Sequence, residues 1–369
     1  MSLEKDELTP QAENPDKTRS SWRRRIGRFI LWSFIFCAFT GTCLAAVGGY
    51  FFNKGMKNGG FVEDWTEGED GLTLKDVSYG SKSWQVMDVY LPKEVEPAKS
   101  KGAFVFIHGG AWMGGTRREC AAFAKRAAKS GYLAANIEYM LYNEKDESIK
   151  KEYSIAKVLE EIDAAISKLT EVGAENGYQV KRVALSGHSA GGHLTMQYGY
   201  TFRERTGTPD VEIAFLAPRV GPADFHAKSW KAQENPKGIA WLTSFLSGHE
   251  ITGEELANPD AETEIAIESI SPVAHVKADA PPTLAAYGGR DFLVPTTQRD
   301  ALQDAFSKLG AKSFEAQNDS DESAPVFDLV FYENSGHMLE NDPDCSKRWQ
   351  ELLDKYAERY LTERGTEEE

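Results

Sequence analysis

Ser189 lies in the pentapeptide GHSAG, Gly187 to Gly191, directly after the apolar run RVALS and at the start of a helical stretch. A serine between a buried strand and a helix sits on a sharp turn, with its hydroxyl exposed at the carboxyl end of the sheet. The tightness of such a turn accounts for the small residues Gly187, Ala190, Gly191 and Gly192. The backbone N–H of Ala190 then opens the helix and faces the place where a reacting carbonyl oxygen would sit. A second motif, HGGAW from His108 to Trp112, follows the apolar run AFVFI, Ala103 to Ile107. Acyl transfer builds negative charge on a carbonyl oxygen, and each fixed N–H donor aimed at that oxygen is worth about 3–4 kcal/mol. Glycines let the backbone come close enough to supply such donors. Trp112 and His188, both inside these motifs, are candidates to line a substrate pocket; the other reading of Trp112 is a packed core side chain.

Serine needs a base, and the base needs an acid to fix its tautomer and stabilise its charged form. The chain has seven histidines. His337, in ENSGHM after the strand-like VFDLVFYE, is the one on a late loop. His108 and His188 belong to the motifs above, and His193, on the helix after Ser189, reads as packed or partly exposed. His226, His249 and His275 show no metal-ligand spacing, so neither a metal nor another cofactor is expected. The acid candidate is Asp291 in YGGRDFLVP, on the loop after PTLAAYG; Asp300, Glu333 and Asp344 are the rivals.

These groups need a scaffold that brings the ends of several strands together. Short apolar runs at 103–107, 132–139, 182–187, 211–217, 282–288 and 326–333 read as buried strands. Helical spacing recurs at 118–129, 151–169, 194–202, 297–309 and 346–361. WQVMDVYLP, 84–92, alternates as a half-exposed antiparallel edge strand would. The alternation predicts an α/β fold, a mostly parallel central sheet with helices on both faces. The expected catalytic domain is 73–363. Within it, 219–275 lacks a clear strand and is expected to be a helical cap insertion, since so long a connection is usually a functional lid.

From Tyr79 to Tyr360 the chain resembles the α/β-hydrolase fold esterases of the hormone-sensitive-lipase and acetyl-esterase type. MDVYLP, HGGAW, GHSAGGH, SPVAHV, APPTLAAYGGRDFLVP and ENSGHM carry the likeness. The resemblance implies Ser189 as nucleophile, Asp291 as acid, His337 as base, and an oxyanion hole of the Gly110, Ala111 and Ala190 amides. Where many such enzymes have HGGG, this chain has HGGAW. That HGGxW form looks more like the branch with kynurenine formamidases, carbohydrate-acetyl and feruloyl esterases, and prenylcysteine methylesterases. The implied activity is hydrolysis of carboxylic esters, on a small-molecule or glycan substrate; a short acyl chain is expected because nothing in the sequence resembles a long lipid tunnel. Alternatives are an arylformamidase or other amide hydrolase, and a catalytically inactive membrane-tethered binding ectodomain.

The net charge of −15, from 42 basic and 57 acidic residues, repels phosphate backbones and argues against a nucleic-acid partner. Residues 1–28 are polar and end in Arg23, Arg24, Arg25 and Arg28, and 29–53 contain no charge. As a helix, that stretch is about 37 Å long, enough for a hydrocarbon core of about 30 Å. The basic flank predicts a cytoplasmic segment 1–28, a transmembrane signal anchor 29–53, a linker 54–72 and an extracytoplasmic catalytic domain, with a tail at 364–369. The alternative is secretion after signal cleavage near Ala46. Cys120 and Cys345 read as small buried side chains, with a disulfide open if the domain is exported. Nothing in the sequence sets an oligomeric state.

Overall fold

The computed structural model describes residues 65–232, 236–317 and 324–362, all within a compact unit that runs from Lys54 to Glu369. The expected segments 1–28 and 29–53 and the tail 364–369 lie outside the described residues, as does most of the linker. No helix among the described residues is long and apolar enough to cross a membrane.

The strands are β1 (Gly71–Ser78), β2 (Val86–Pro92), β3 (Gly102–Ile107), β4 (Leu133–Ile137), β5 (Arg182–His188), β6 (Glu212–Arg219), β7 (Thr283–Gly288) and β8 (Phe327–Tyr332). They form one sheet in the order β1-β2-β4-β3-β5-β6-β7-β8. β1 pairs antiparallel with β2, and β2 antiparallel with β4; every other pairing is parallel. The sheet is therefore the mixed, mostly parallel one of an α/β-hydrolase-like fold. One expectation changes. Segment 84–92 is not the sheet's edge: β1 covers it, and Met87, Val89 and Leu91 are buried. β1 starts at Gly71, inside the stretch read as linker, because its sequence GLTLKDVS is too polar to stand out.

The helices are α1 (Ala121–Lys129), α2 (Glu147–Glu152), α3 (Ile155–Glu175), α4 (Ala190–Thr201), α5 (Lys237–Ser247), α6 (Gly253–Ala257), α7 (Ala261–Ser269), α8 (Thr296–Lys308) and α9 (Pro343–Tyr360). The helical pattern at 151–169 is broken at Tyr153, and Ser154 caps α3 by accepting from the Lys157 amide. Side chains alternate across β3: Val105 and Ile107 join the core under α3 and α4, whereas Phe104 and Phe106 join the core under α1 and α9. Two apolar layers thus clamp the sheet and fix the height at which its carboxyl-end loops emerge. α4 is buried along its whole length.

Segment 219–275 opens on Arg219, the last residue of β6, and holds α5, α6 and α7 from Lys237 onward, between β6 and β7. Its polar anchors satisfy buried backbone: Gln298 Oε1 accepts the Ala223 and Asp224 amides, at 2.8 and 2.9 Å. Cys120 and Cys345 are both free thiols.

Candidate active site

β5 ends at His188, α4 begins at Ala190, and Ser189 between them has φ 58° and ψ −120°. This left-handed backbone is costly for a serine, about 1–3 kcal/mol, and persists only where the surroundings hold it. The Ser189 amide donates to the Arg219 carbonyl at 2.9 Å, and the Ser189 carbonyl accepts from the His193 amide at 3.0 Å. No side chain fits at Gly191, where a Cβ would come within 2.0 Å of the Ile107 carbonyl oxygen. The small residues of GHSAGG thus let α4 cross directly over the end of β3.

The loop after β3 lies against this turn. A Cβ on Gly109 would meet the His188 carbonyl oxygen at 2.7 Å and Ser189 Cβ at 3.2 Å. Beyond it, Gly110, Ala111 and Trp112 all have positive φ, at 116°, 53° and 59°. Gly110 and Ala111 are exposed, and neither amide donates to a backbone carbonyl among the described residues. Ala190 is the first residue of α4, where amides have no acceptor within the helix. These amides are the ones the sequence singled out as oxyanion donors.

Trp112 is buried, at 3% exposure, and its indole Nε1–H donates to His193 Nδ1 at 3.2 Å. His193 Nε2–H in turn donates to the Ile270 carbonyl at 2.8 Å. Burial pushes this imidazole down to about 4, the bond to Ile270 opposing, so it is neutral under ordinary conditions. His108 is also wholly buried, stacked on Tyr139 with centroids 4.4 Å apart and held low in basicity by burial.

The acid and base loops emerge from neighbouring strands. His337 Nδ1 is 2.7 Å from Asp291 Oδ2, and the other Asp291 oxygen accepts the amides of Leu293 and Val294 at 2.8 and 2.9 Å. The loops are zipped together: Gly289 N–H donates to the Tyr332 carbonyl, and Arg290 N–H to the Ser335 carbonyl. Asp342 closes the histidine loop, accepting from the Ser335 hydroxyl at 2.6 Å and the Asn334 amide at 3.0 Å. Of the rival acids, Asp300 pairs with Arg299 at 2.9 Å and Glu333 is exposed. His188 bridges the two halves of the site. Its Nε2–H donates to the His337 carbonyl at 2.9 Å, and the two rings meet edge to face at 5.1 Å. Burial and the neighbouring His337 and Arg219 charges hold His188 well below the usual histidine range.

On the flank of the Trp112 loop, a groove of about 650 Å³ runs between α5 and the Tyr142–Tyr153 segment. Trp241, 41% exposed, forms part of its wall and stands edge-on to Phe245 at 5.0 Å. Tyr142 stacks on Phe245 at 4.2 Å and donates its amide to the Trp112 carbonyl at 2.8 Å.

The Trp112–His193–Ile270 chain is not visible in the sequence. Its one signal was the histidine a single helical turn past Ser189. Nor is the ion cluster of Asp224, His226 and Glu264 in the insertion visible there, because Glu264 lies 38 residues beyond His226.

The BD-FAE family model matches residues 87–306. Esterase LipC of Mycobacterium tuberculosis is 26% identical over 226 residues, 60% of this chain and 52% of its own length. The probable isoprenylcysteine alpha-carbonyl methylesterase ICMEL1 of Oryza sativa subsp. japonica is 25% identical over 252 residues, 65% of this chain and 54% of its own. The chain spans about half the length of the curated relatives it matches. Among solved structures, a truncated carbohydrate esterase from gut microbiota superposes with a TM-score of 0.57 at 20% identity, covering 81% of this chain and 99% of that one. This last likeness speaks to the fold alone.

Proposed function

Because the chain belongs to the BD-FAE family, we propose that it is a carboxylic ester hydrolase in which Ser189, His337 and Asp291 form the catalytic triad. The observation that carries this reading is the 2.7 Å contact of Asp291 Oδ2 with His337 Nδ1 on the loops beside the Ser189 turn. Asp291 holds the imidazole with its proton on Nδ1, leaving Nε2 free to act as base. Nε2 takes the Ser189 proton as Oγ bonds to the acyl carbon, and the carbonyl electrons move onto oxygen. The amides of Gly110, Ala111 and Ala190 receive that oxyanion. Collapse of the adduct breaks the ester C–O bond, and the alcohol leaves with the proton from His337. Water then attacks the acyl-enzyme by the same route, releasing the acid. The cycle uses no cofactor.

The substrate in this reading carries a short acyl group, and the cap helices with their Trp241 groove receive the alcohol side. The anchor reading of 29–53 places the domain outside the cytoplasm, where acylated glycans and exogenous esters are met.

The test is Ser189→Ala. The variant should fold, lose hydrolysis of p-nitrophenyl acetate by about 10⁶-fold, and lose labelling by a fluorophosphonate probe. Labelling that persists in the variant would move the nucleophile elsewhere. A substrate panel that includes N-formylkynurenine separates an esterase from a formamidase.

A further inference from the structure

Nothing in the proposed cycle uses His193, a wholly buried imidazole one helical turn beyond Ser189. Its bonds are nevertheless fully specified. The indole of Trp112 is a donor only, so His193 Nδ1 must accept, and Nε2 must carry the proton that goes to Ile270. The Trp112 and Phe225 rings stand edge-on to the imidazole, each at 5.2 Å between centroids. The other end of the chain is a loop that needs holding. Ala111 and Trp112 are two consecutive residues other than glycine with left-handed backbone, directly after Gly110. Strained backbone of this kind survives only when its surroundings over-determine it. Within the loop the Gly110 carbonyl accepts the Met113 and Gly114 amides, and its ties to the rest of the fold include the buried indole and the Trp112 carbonyl, which accepts the Tyr142 amide.

We propose that Trp112 and His193 are a positioning pair that sets the oxyanion loop at a fixed distance from Ser189, and that Ile270 extends the tie to the insertion. The pair touches no reacting atom. It acts through the amides of Gly110 and Ala111, which precede the anchored indole, and through α4, which carries His193 and has Ser189 as its N-cap residue. The same bonds account for the tryptophan of HGGAW and the histidine of GHSAGGH as one device. The inference rests on the esterase reading of Ser189.

The experiment compares the full-length protein with Trp112→Phe, His193→Asn and the double variant. Trp112→Phe keeps an aromatic ring and deletes the N–H. It should lower kcat on p-nitrophenyl acetate about 10-fold to 100-fold while KM stays within about twofold. Affinity for an aryl trifluoromethyl ketone, whose serine adduct carries an oxyanion, should fall by the same factor as kcat. A merely structural role would lower the melting temperature without that matched loss. The double variant should be no slower than the slower single variant, because both break one tie. The pairing is also read without turnover, from the imidazole ¹⁵N shifts of the wild-type protein, which should show His193 protonated on Nε2 and bare on Nδ1. The opposite tautomer, or a Trp112→Phe enzyme within twofold of wild type in both kcat and ketone affinity, overturns the pair. An inactive wild type with the expected tautomer overturns the esterase reading and leaves the pair standing.

Discussion

Asp291 and His337, 46 residues apart in the chain, meet at 2.7 Å with the carboxylate locked at both ends. One oxygen faces the imidazole while the other is held by the amides of Leu293 and Val294, so the group cannot rotate away. Asp291→Asn keeps the acceptor for those two amides and turns an NH₂ toward Nδ1. The imidazole then has to present its lone pair there and carry its proton on Nε2, the wrong tautomer for a base. Turnover of p-nitrophenyl acetate should fall by about 10⁴-fold, with the melting temperature little changed. A variant near wild-type rate would move the acid role to another carboxylate.

The site's parts were legible because each stands next to a strong local signal. RVALS-GHSAG and AFVFI-HGGAW are apolar strands running straight into glycine turns. What was not legible depends on contacts far apart in the chain. Asp88 interrupts an otherwise apolar β2, and only the structure shows Arg117 Nε 3.1 Å away to pair with it. β1 is an edge strand with mixed burial, so its sequence lacks a periodic apolar face. The helical character of the insertion is legible from the absence of strand signals. Its attachment was not, since the bonds to α4 are made by backbone carbonyls of Ser269 and Ile270, to which any residue type contributes equally.

The topology proposal rests on charge and length alone, so its test is biochemical. Full-length protein should remain with membranes through a carbonate wash, and external protease should cut within 54–72 to release the domain. A soluble product lacking residues 1–45 would replace the anchor with a cleaved signal. Protection of the domain from external protease would reverse the orientation.

Trp241 offers a test of the cap. Its indole lies on the groove wall and is 41% exposed, so truncation removes less buried area than at a core tryptophan. Trp241→Ala should lower the melting temperature by a few degrees and leave the fold intact while changing the ratio of kcat/KM between esters with small and bulky alcohols several-fold. An unchanged ratio across such a panel would take the groove out of substrate recognition.

The insertion also carries a charge clamp whose pH dependence has a definite sign. His226 Nδ1 is 2.5 Å from Asp224 Oδ1, and Nε2 is 2.9 Å from Glu264 Oε1. The bond to Asp224 raises the imidazole most, burial opposes it, and Glu264 adds to the rise, so His226 is pushed up to about 9. In the unfolded chain a histidine titrates near about 6.5. A raised folded value means that the folded state binds the proton more tightly. The resulting stability is fully present below about pH 6.5 and is lost as pH rises through about 9. Discounted for the partial exposure of His226 and Glu264, it amounts to about 1–2 kcal/mol. His226→Gln keeps hydrogen-bonding capacity and removes the charge. Urea unfolding of both proteins should therefore show a wild-type advantage at pH 6 that closes by pH 9.5. An advantage that stays constant across that range would mean that the clamp holds by shape and hydrogen bonding, with no contribution from the proton.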